Sequence, residues 1–314
     1  MESITKPKMS QEQLATICQH HLGDALDEAI ELKDGWFNAA FLLRTVGGKE
    51  SVLKAAPPDS VQLMRYERNL MHAEVSAIRM VKAMTDVPVP AVYAYDSSRE
   101  FAESEFFLTD RLPGRPLDQV RGEMSLDLQE QVDAQVGTIL RAIHTITGPR
   151  FGTFNQAEHE TWADAFKCLM GWLHQDATDL GVHLPKGVFS IVDRHTEALE
   201  SVQTPTLVHW DLWDGNIFVD PKLGVVTGII DFERVLWADP LIETNFGHIR
   251  SGFIQTYGDE ILQGEHAKLR RHLYDLYLFL IMVIECRYRH LPSDHEANIR
   301  VKLDETIEAI HTAA

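Results

Sequence analysis

Residues 207–231 read Leu-Val-His-Trp-Asp-Leu-Trp-Asp-Gly-Asn-Ile-Phe-Val-Asp-Pro-Lys-Leu-Gly-Val-Val-Thr-Gly-Ile-Ile-Asp, and the interpretation of the chain turns on them. The fixed points are His209, Asp211 and Asn216, then turn residues from Asp220 to Gly224, then an apolar run that delivers Asp231. Two β-type runs, Ile217 to Val219 and Val225 to Ile230, flank the turn, so the segment reads as a loop followed by a hairpin. Such a hairpin returns Asn216 and Asp231 to each other's side. A purely polar hairpin explains the turn residues; it does not explain why a carboxylate should close so apolar a run.

Oxygen-bearing side chains brought together in this way suit phosphoryl transfer. That reaction needs little covalent help, only a positioned nucleophile and Mg²⁺ held against phosphate by hard oxygen ligands. Asp211 is the candidate catalytic residue, accepting the proton of an attacking hydroxyl, and Asn216 and Asp231 are the candidate Mg²⁺ ligands. The pattern His-x-Asp-x-x-x-x-Asn followed by an apolar strand ending in Asp resembles the catalytic and metal-binding loops of the aminoglycoside phosphotransferase and choline kinase-like family, relatives of protein kinases.

The resemblance implies an α+β, bilobal protein-kinase-like fold. A small antiparallel-sheet lobe would occupy residues 1–110, a hinge 111–117, and a larger, mainly helical lobe 118–314. It also implies a purine nucleoside triphosphate, ATP or GTP, as co-substrate. Lys54, in the expected strand Ser51–Ala55, falls where the family's lysine grips the nucleotide phosphates, with Glu74 on the next helix as its partner and Glu67 as the runner-up. Without the downstream motif Lys54 would read as a lysine guarding a sheet edge. Gly35, Trp36 and Phe37, in the turn Asp34–Asn38, would lie over the phosphates with backbone donors. Asp110 and Leu112 of the hinge would meet the adenine edge.

By the same resemblance, His209 would orient the loop and Asp239 would anchor it, capping a helix that starts at Pro240. Trp210, Glu233, Trp237 and Glu243 are candidates to face the acceptor. Trp210 departs from the family, where glycine commonly stands between the histidine and the aspartate. A tryptophan disfavours positive φ and is expected to pack against core or acceptor.

The outer parts of the chain frame this centre. Ser10 with Gln13 forms a capping box for a helix running to Leu22 and stopped by Gly23. Strands are expected at Ala29–Lys33, Ala39–Val46, Ala91–Tyr95 and Phe106–Thr109, with a helix over Asp59–Met84 between them. Later helices are expected from Ser125, over Thr161–Leu180 and Val188–Ser201, and around Leu269–Arg289 and His295–His311.

Composition narrows the partners. Hydrophobic residues make up 45% and charged residues 24% of the 314-residue chain, as in an ordinary globular protein. A net charge of −18 disfavours nucleic acid and anionic membrane and favours cationic ligands. Cys18, Cys168 and Cys286 are far apart and indicate neither a disulfide framework nor a zinc site. The polar start, Met1–Ser10, has no apolar signal core, so a cytoplasmic location is expected.

The function these readings support is a small-molecule O-phosphotransferase acting on a hydroxyl acceptor, such as an aminoglycoside antibiotic. The alternatives are a metabolic kinase for choline, an amino alcohol, a sugar or a hydroxy-amino acid, and a non-catalytic nucleotide-binding protein. A protein kinase is disfavoured: Asp231-Phe232 is followed by Glu233, and Asp239-Pro240 arrives with no activation segment between.

Overall fold

A computed structural model describes residues 4–33, 35, 37–246, 250–264 and 266–313. The Ser10 hydroxyl accepts from the Gln13 backbone while the Gln13 side chain accepts from the Ser10 backbone, fixing the start of α1 (Gln11–Ile17). The helix widens into a π turn at Cys18–Leu22 and ends at Gly23, φ +70°.

Five antiparallel strands follow, β1 (Leu26–Leu32), β2 (Ala39–Thr45), β3 (Glu50–Ala55), β4 (Val92–Asp96) and β5 (Phe106–Asp110), in the order β1-β2-β3-β5-β4. Alternation sends Phe41, Leu43, Leu53, Phe106 and Leu108 to one face, where they pack with Leu14 and Ile17 of α1. The other face carries α2 (Leu70–Met84), whose Met71 and Val75 meet Phe107. β3 is the central strand, so Lys54 is no edge guard. The helix expected over Asp59–Met84 starts only at Leu70. Glu67 is drawn aside to the Met64 backbone and Arg289, and Asn69 at φ +58° breaks the helical path.

Past β5 the chain becomes mainly helical. The short strand β6 (Arg115–Pro116) leads into α3 (Leu117–Val120) and α4 (Leu126–Ile143), then β7 (Phe151–Thr153), β8 (Gln156–His159) and α5 (Trp162–Asp179). The single helix expected over Val188–Ser201 is instead a 3₁₀ turn and two short helices, α6 (Ile191–Arg194) and α7 (Thr196–Glu200), interrupted at His195. Next come β9 (Thr206–Val208), the hairpin β10 (Ile217–Asp220) and β11 (Val225–Ile229), and β12 (Leu236–Ala238). The end of the chain holds α8 (Ser251–Tyr257), α9 (Glu260–Gln263), α10 (Ala267–Tyr288) and α11 (Ser293–Ala313).

Two small sheets organise this part. β6 joins the hairpin in the order β11-β10-β6, and a four-stranded sheet runs β8-β7-β12-β9. The chain is thus a mixed α+β structure, with its small antiparallel sheet first and most helices after. The apolar run Leu276–Ile284 lies within the buried helix α10. No helix among the described residues is long and apolar enough to cross a membrane.

α4 and α8 cross at close range because Gly137 presents no side chain there. A Cβ at Gly137 would sit 2.6 Å from the Phe253 carbonyl and 2.3 Å from Thr256 Oγ1. Gly137→Ala should therefore lower stability by about 1–3 kcal/mol, because overpacking against backbone outweighs the helix-propensity gain of about 1 kcal/mol. Urea unfolding of the two proteins measures the sign.

Candidate active site

The hairpin positions its ends as β-pairing dictates. Ile217 pairs with Ile229, and the Ile230 N–H donates to the Asn216 carbonyl at 3.1 Å. Asn216 therefore stands beside the turn where Asp231 leaves the strand at φ +71°. The Asn216 amide donates to the Asp211 carbonyl at 2.8 Å and faces its carboxylate at 3.4 Å, which leaves the amide oxygen as the end available to a cation.

Two buried groups hold the loop before it. His209 meets the Ile230 carbonyl through Nε2 at 3.0 Å and accepts the Asp211 N–H at Nδ1, so it is fixed as a neutral ring. Burial lowers its pKa, in keeping with that state. Glu243 accepts from the backbone N–H groups of His209 at 2.5 Å and Trp210 at 3.1 Å.

Lys54 reaches into the same place from β3. Its Nζ lies 2.7 Å from Glu74 of α2, 2.5 Å from Asp231 and 3.3 Å from Glu233. The carboxylates of Glu74, Asp231 and Glu233 offer oxygens within 4.8 Å of one another. Burial works against the charged lysine, but the neighbouring carboxylates prevail and hold its pKa well above the ordinary value. Burial is the largest influence on Asp231 and raises it, yet the charge and hydrogen bond of Lys54, with His209 and Arg234, together outweigh it and its pKa falls. Glu74 is pushed up to about 8, chiefly by burial, with Lys54 opposing. Asp211 is also raised well above the usual carboxylate range, by burial and then by Asp231 and Glu233, against the pull of Arg234.

Several expected residues stand elsewhere than the sequence suggested. Glu233 is buried with Lys54 and accepts from Asn38 Nδ2 at 2.6 Å, so it belongs to the carboxylate group and not to an open acceptor face. Glu243 is spent on loop backbone. Trp237 is buried in β12, its ring against Phe154 and Gly148. Trp210 does adopt positive φ, +53°, which its indole tolerates because it stacks on Tyr277 at 5.2 Å and donates to Asn245. Glu67, the runner-up partner for Lys54, pairs with Arg289 instead.

In the hinge, the Asp110 N–H already donates to the Ala91 carbonyl, so it is not offered to an adenine edge. Leu112 rests against Gly228. Gly35 is exposed near the Asn38 carbonyl, while Phe37 is buried under the Arg289 guanidinium with its carbonyl bound by Thr5. Trp36 lies outside the described residues. Asp239 accepts from the Leu241 N–H, capping the 3₁₀ helix Pro240–Phe246, and also binds Arg270 and Tyr274.

A profile described as "Phosphotransferase enzyme family" matches residues 28–308. The chain belongs to that family. It is accordingly a small-molecule kinase, an ATP-dependent phosphotransferase. A probable ketoamine kinase of Klebsiella aerogenes is 29% identical over 212 residues, covering 65% of this chain and 68% of that protein. Other curated relatives are covered over only 27% to 51% of their length. Among solved structures, a putative fructosamine-3-kinase from Thermobifida fusca superposes with TM-score 0.68 at 17% identity, covering 96% of this chain and 100% of that one. A thermostable mutant of aminoglycoside phosphotransferase APH(4)-Ia gives TM-score 0.64 at 20% identity, over 94% and 98%. The APH(4)-Ia enzyme has also been solved with AMP-PNP and hygromycin B.

Sequence reading overlooked Asn38, Arg234 and Trp213. Asn38 and Arg234 carry no motif, and their roles come from partners far along the chain. Trp213 had a visible signal, an indole two residues after Asp211 that is 42% exposed.

A carboxylate whose folded pKa is raised stabilises the fold fully below its unfolded value and loses that contribution as pH rises through the folded one. For Glu74 the window runs from about pH 4.5 to about 8. In divalent-free buffer, wild-type stability should fall across this window relative to Glu74→Gln, which keeps the neutral form. Urea midpoints of both proteins at stepped pH values would record the difference.

Proposed function

We propose that the chain transfers the γ-phosphoryl group of ATP (or GTP) to a hydroxyl of a small molecule, with Asp211 as catalytic base. The observation that carries this reading is the set of carboxylates around the single Lys54, Glu74 and Glu233 buried and Asp231 half-buried, beside Asp211 and Asn216. Lys54 cannot neutralise all of them, and Arg234 is paired with Glu285 at 3.2 Å. The pocket therefore keeps an excess of negative charge that a divalent cation would balance, and hard oxygen donors are those Mg²⁺ takes. Asp231, Glu233 and the Asn216 amide oxygen would hold it. When bound, the ion would offset the charge of the phosphates.

Asp211 accepts the acceptor's hydroxyl proton as its oxygen bonds to the γ-phosphorus and the bond to the departing nucleoside diphosphate breaks. A base whose pKa is raised by burial and by neighbouring carboxylates is better matched to that proton than an ordinary aspartate. Lys54 faces the transferring phosphates, and Glu74 orients it. The Gly35 backbone would cover them.

For the acceptor, a sugar-derived hydroxyl is favoured, because the sequence relative with the greater coverage bears the name probable ketoamine kinase. The aminoglycoside reading rests on fold likeness, which does not carry substrate. Trp213 offers an exposed aromatic face beside the base for a sugar ring.

Asp211→Ala should reduce kcat by about 10²- to 10⁴-fold with nucleotide affinity nearly unchanged; activity within tenfold of wild type would remove Asp211 from the base role. Asp231→Ala should abolish the Mg²⁺-dependent part of nucleotide binding in calorimetry with and without metal. A nucleotide-consumption screen over ketoamines, aminoglycosides, choline and sugar alcohols then identifies the acceptor.

A further inference from the structure

The three-residue turn Asp214–Asn216 that delivers Asn216 makes no side-chain cap of its own. So short a 3₁₀ segment has little internal rigidity. The Asp214 carboxylate points instead to Arg121, beyond the end of α3, accepting from Nε at 2.6 Å and Nη2 at 3.3 Å. The same guanidinium donates to Asp133 on α4 at 2.8 Å. Arg250, just before α8, closes the figure, 3.0 Å from Asp133 and 3.5 Å from Asp214.

This is not an ordinary surface ion pair. Arg121 and Asp214 are only 16% and 18% exposed and Asp133 9%, charges balance around the ring, and the Arg121 contact with Asp214 is two-pronged. α3 directly follows β6, which is itself paired to β10. The ring thus fastens the exit of the inter-lobe connection, α4 and the loop carrying Asp211 and Asn216 to one another.

We infer that Arg121 and Asp214 are a positioning pair: by fixing the turn, they hold the Asn216 amide against Asp211 and so set how tightly a divalent ion is held with the nucleotide, without touching either. The inference rests on the reading of Asn216 as a metal-holding residue. Outer groups of this kind commonly change metal affinity by about 10- to 100-fold when removed.

The test is calorimetric titration of ADP at stepped Mg²⁺ concentrations with wild type, Asn216→Ala, Asp214→Asn, Arg121→Met, Arg121→Lys and the Asp214→Asn/Arg121→Met double variant. Ile310→Ala, in the remote helix α11, controls for lost stability. Asp214→Asn should raise the half-saturating Mg²⁺ by about tenfold or more while metal-free ADP binding stays as in wild type. Arg121→Met should do so less, since Arg250 remains, and the double variant should add little to Asp214→Asn. Arg121→Lys should recover part of the loss, and Ile310→Ala should lower Tm without moving the Mg²⁺ titration. If Asn216→Ala shifts the titration and the pair variants lower only Tm, the positioning role is refuted while the metal reading stands. If wild type shows no Mg²⁺ dependence, or Asn216→Ala leaves it unchanged, both are refuted together.

Discussion

One ammonium group shared by three carboxylates from two separate elements is the constraint on which the site depends. Lys54 comes from the middle of a sheet, Glu74 from the helix packed on that sheet, and Asp231 and Glu233 from the turn after the hairpin, so the charge contacts bind both parts of the chain at one point. Removing ionised groups from water is costly, and a buried cluster persists only when partners surround it. Here the partners are unequal in number, and burial together with the neighbouring carboxylates raises the pKa values of Glu74 and Glu233.

Around that point the loop is held by its backbone as much as by its side chains. Glu243 takes two consecutive N–H groups, His209 ties the loop to the end of the hairpin, and Trp210 stands in a left-handed conformation kept by its stack on Tyr277. Left-handed non-glycine residues each cost on the order of 1–3 kcal/mol. Asp231 bears that strain as well, and in its case the Lys54 contact compensates. The loop that would do chemistry is therefore the strained part of the hairpin, and the buried acids and aromatics beneath it are what keep it in place.

Membership in a phosphotransferase family fixes a class of reaction, and the acceptor is a separate matter decided by the walls of the cleft. Two of the four residues that sequence position nominated for those walls, Glu233 and Glu243, are committed to the charge cluster and to loop backbone, while Trp237 is core. Proximity along the chain is a poor guide here, because a side chain one residue on in a strand or tight turn points the other way.

The sequence by itself determined the hairpin, its turn and the spacing of His209, Asp211, Asn216 and Asp231, because two apolar β-type runs around a Pro-Lys-Leu-Gly turn allow few other conformations. It also determined the capping box at Ser10 and the pairing order of the first hairpins, which are short-range matters. Only the tertiary structure decided that α2 begins at Leu70, that Phe151–Thr153 and Leu236–Ala238 pair far apart along the chain into a second sheet, and that Asn38 bonds to Glu233, Arg234 to Glu285 and Arg121 to Asp214. Those outcomes depend on partners remote in sequence, and a charge or a three-residue strand carries no local signal of the group that will neutralise or pair with it.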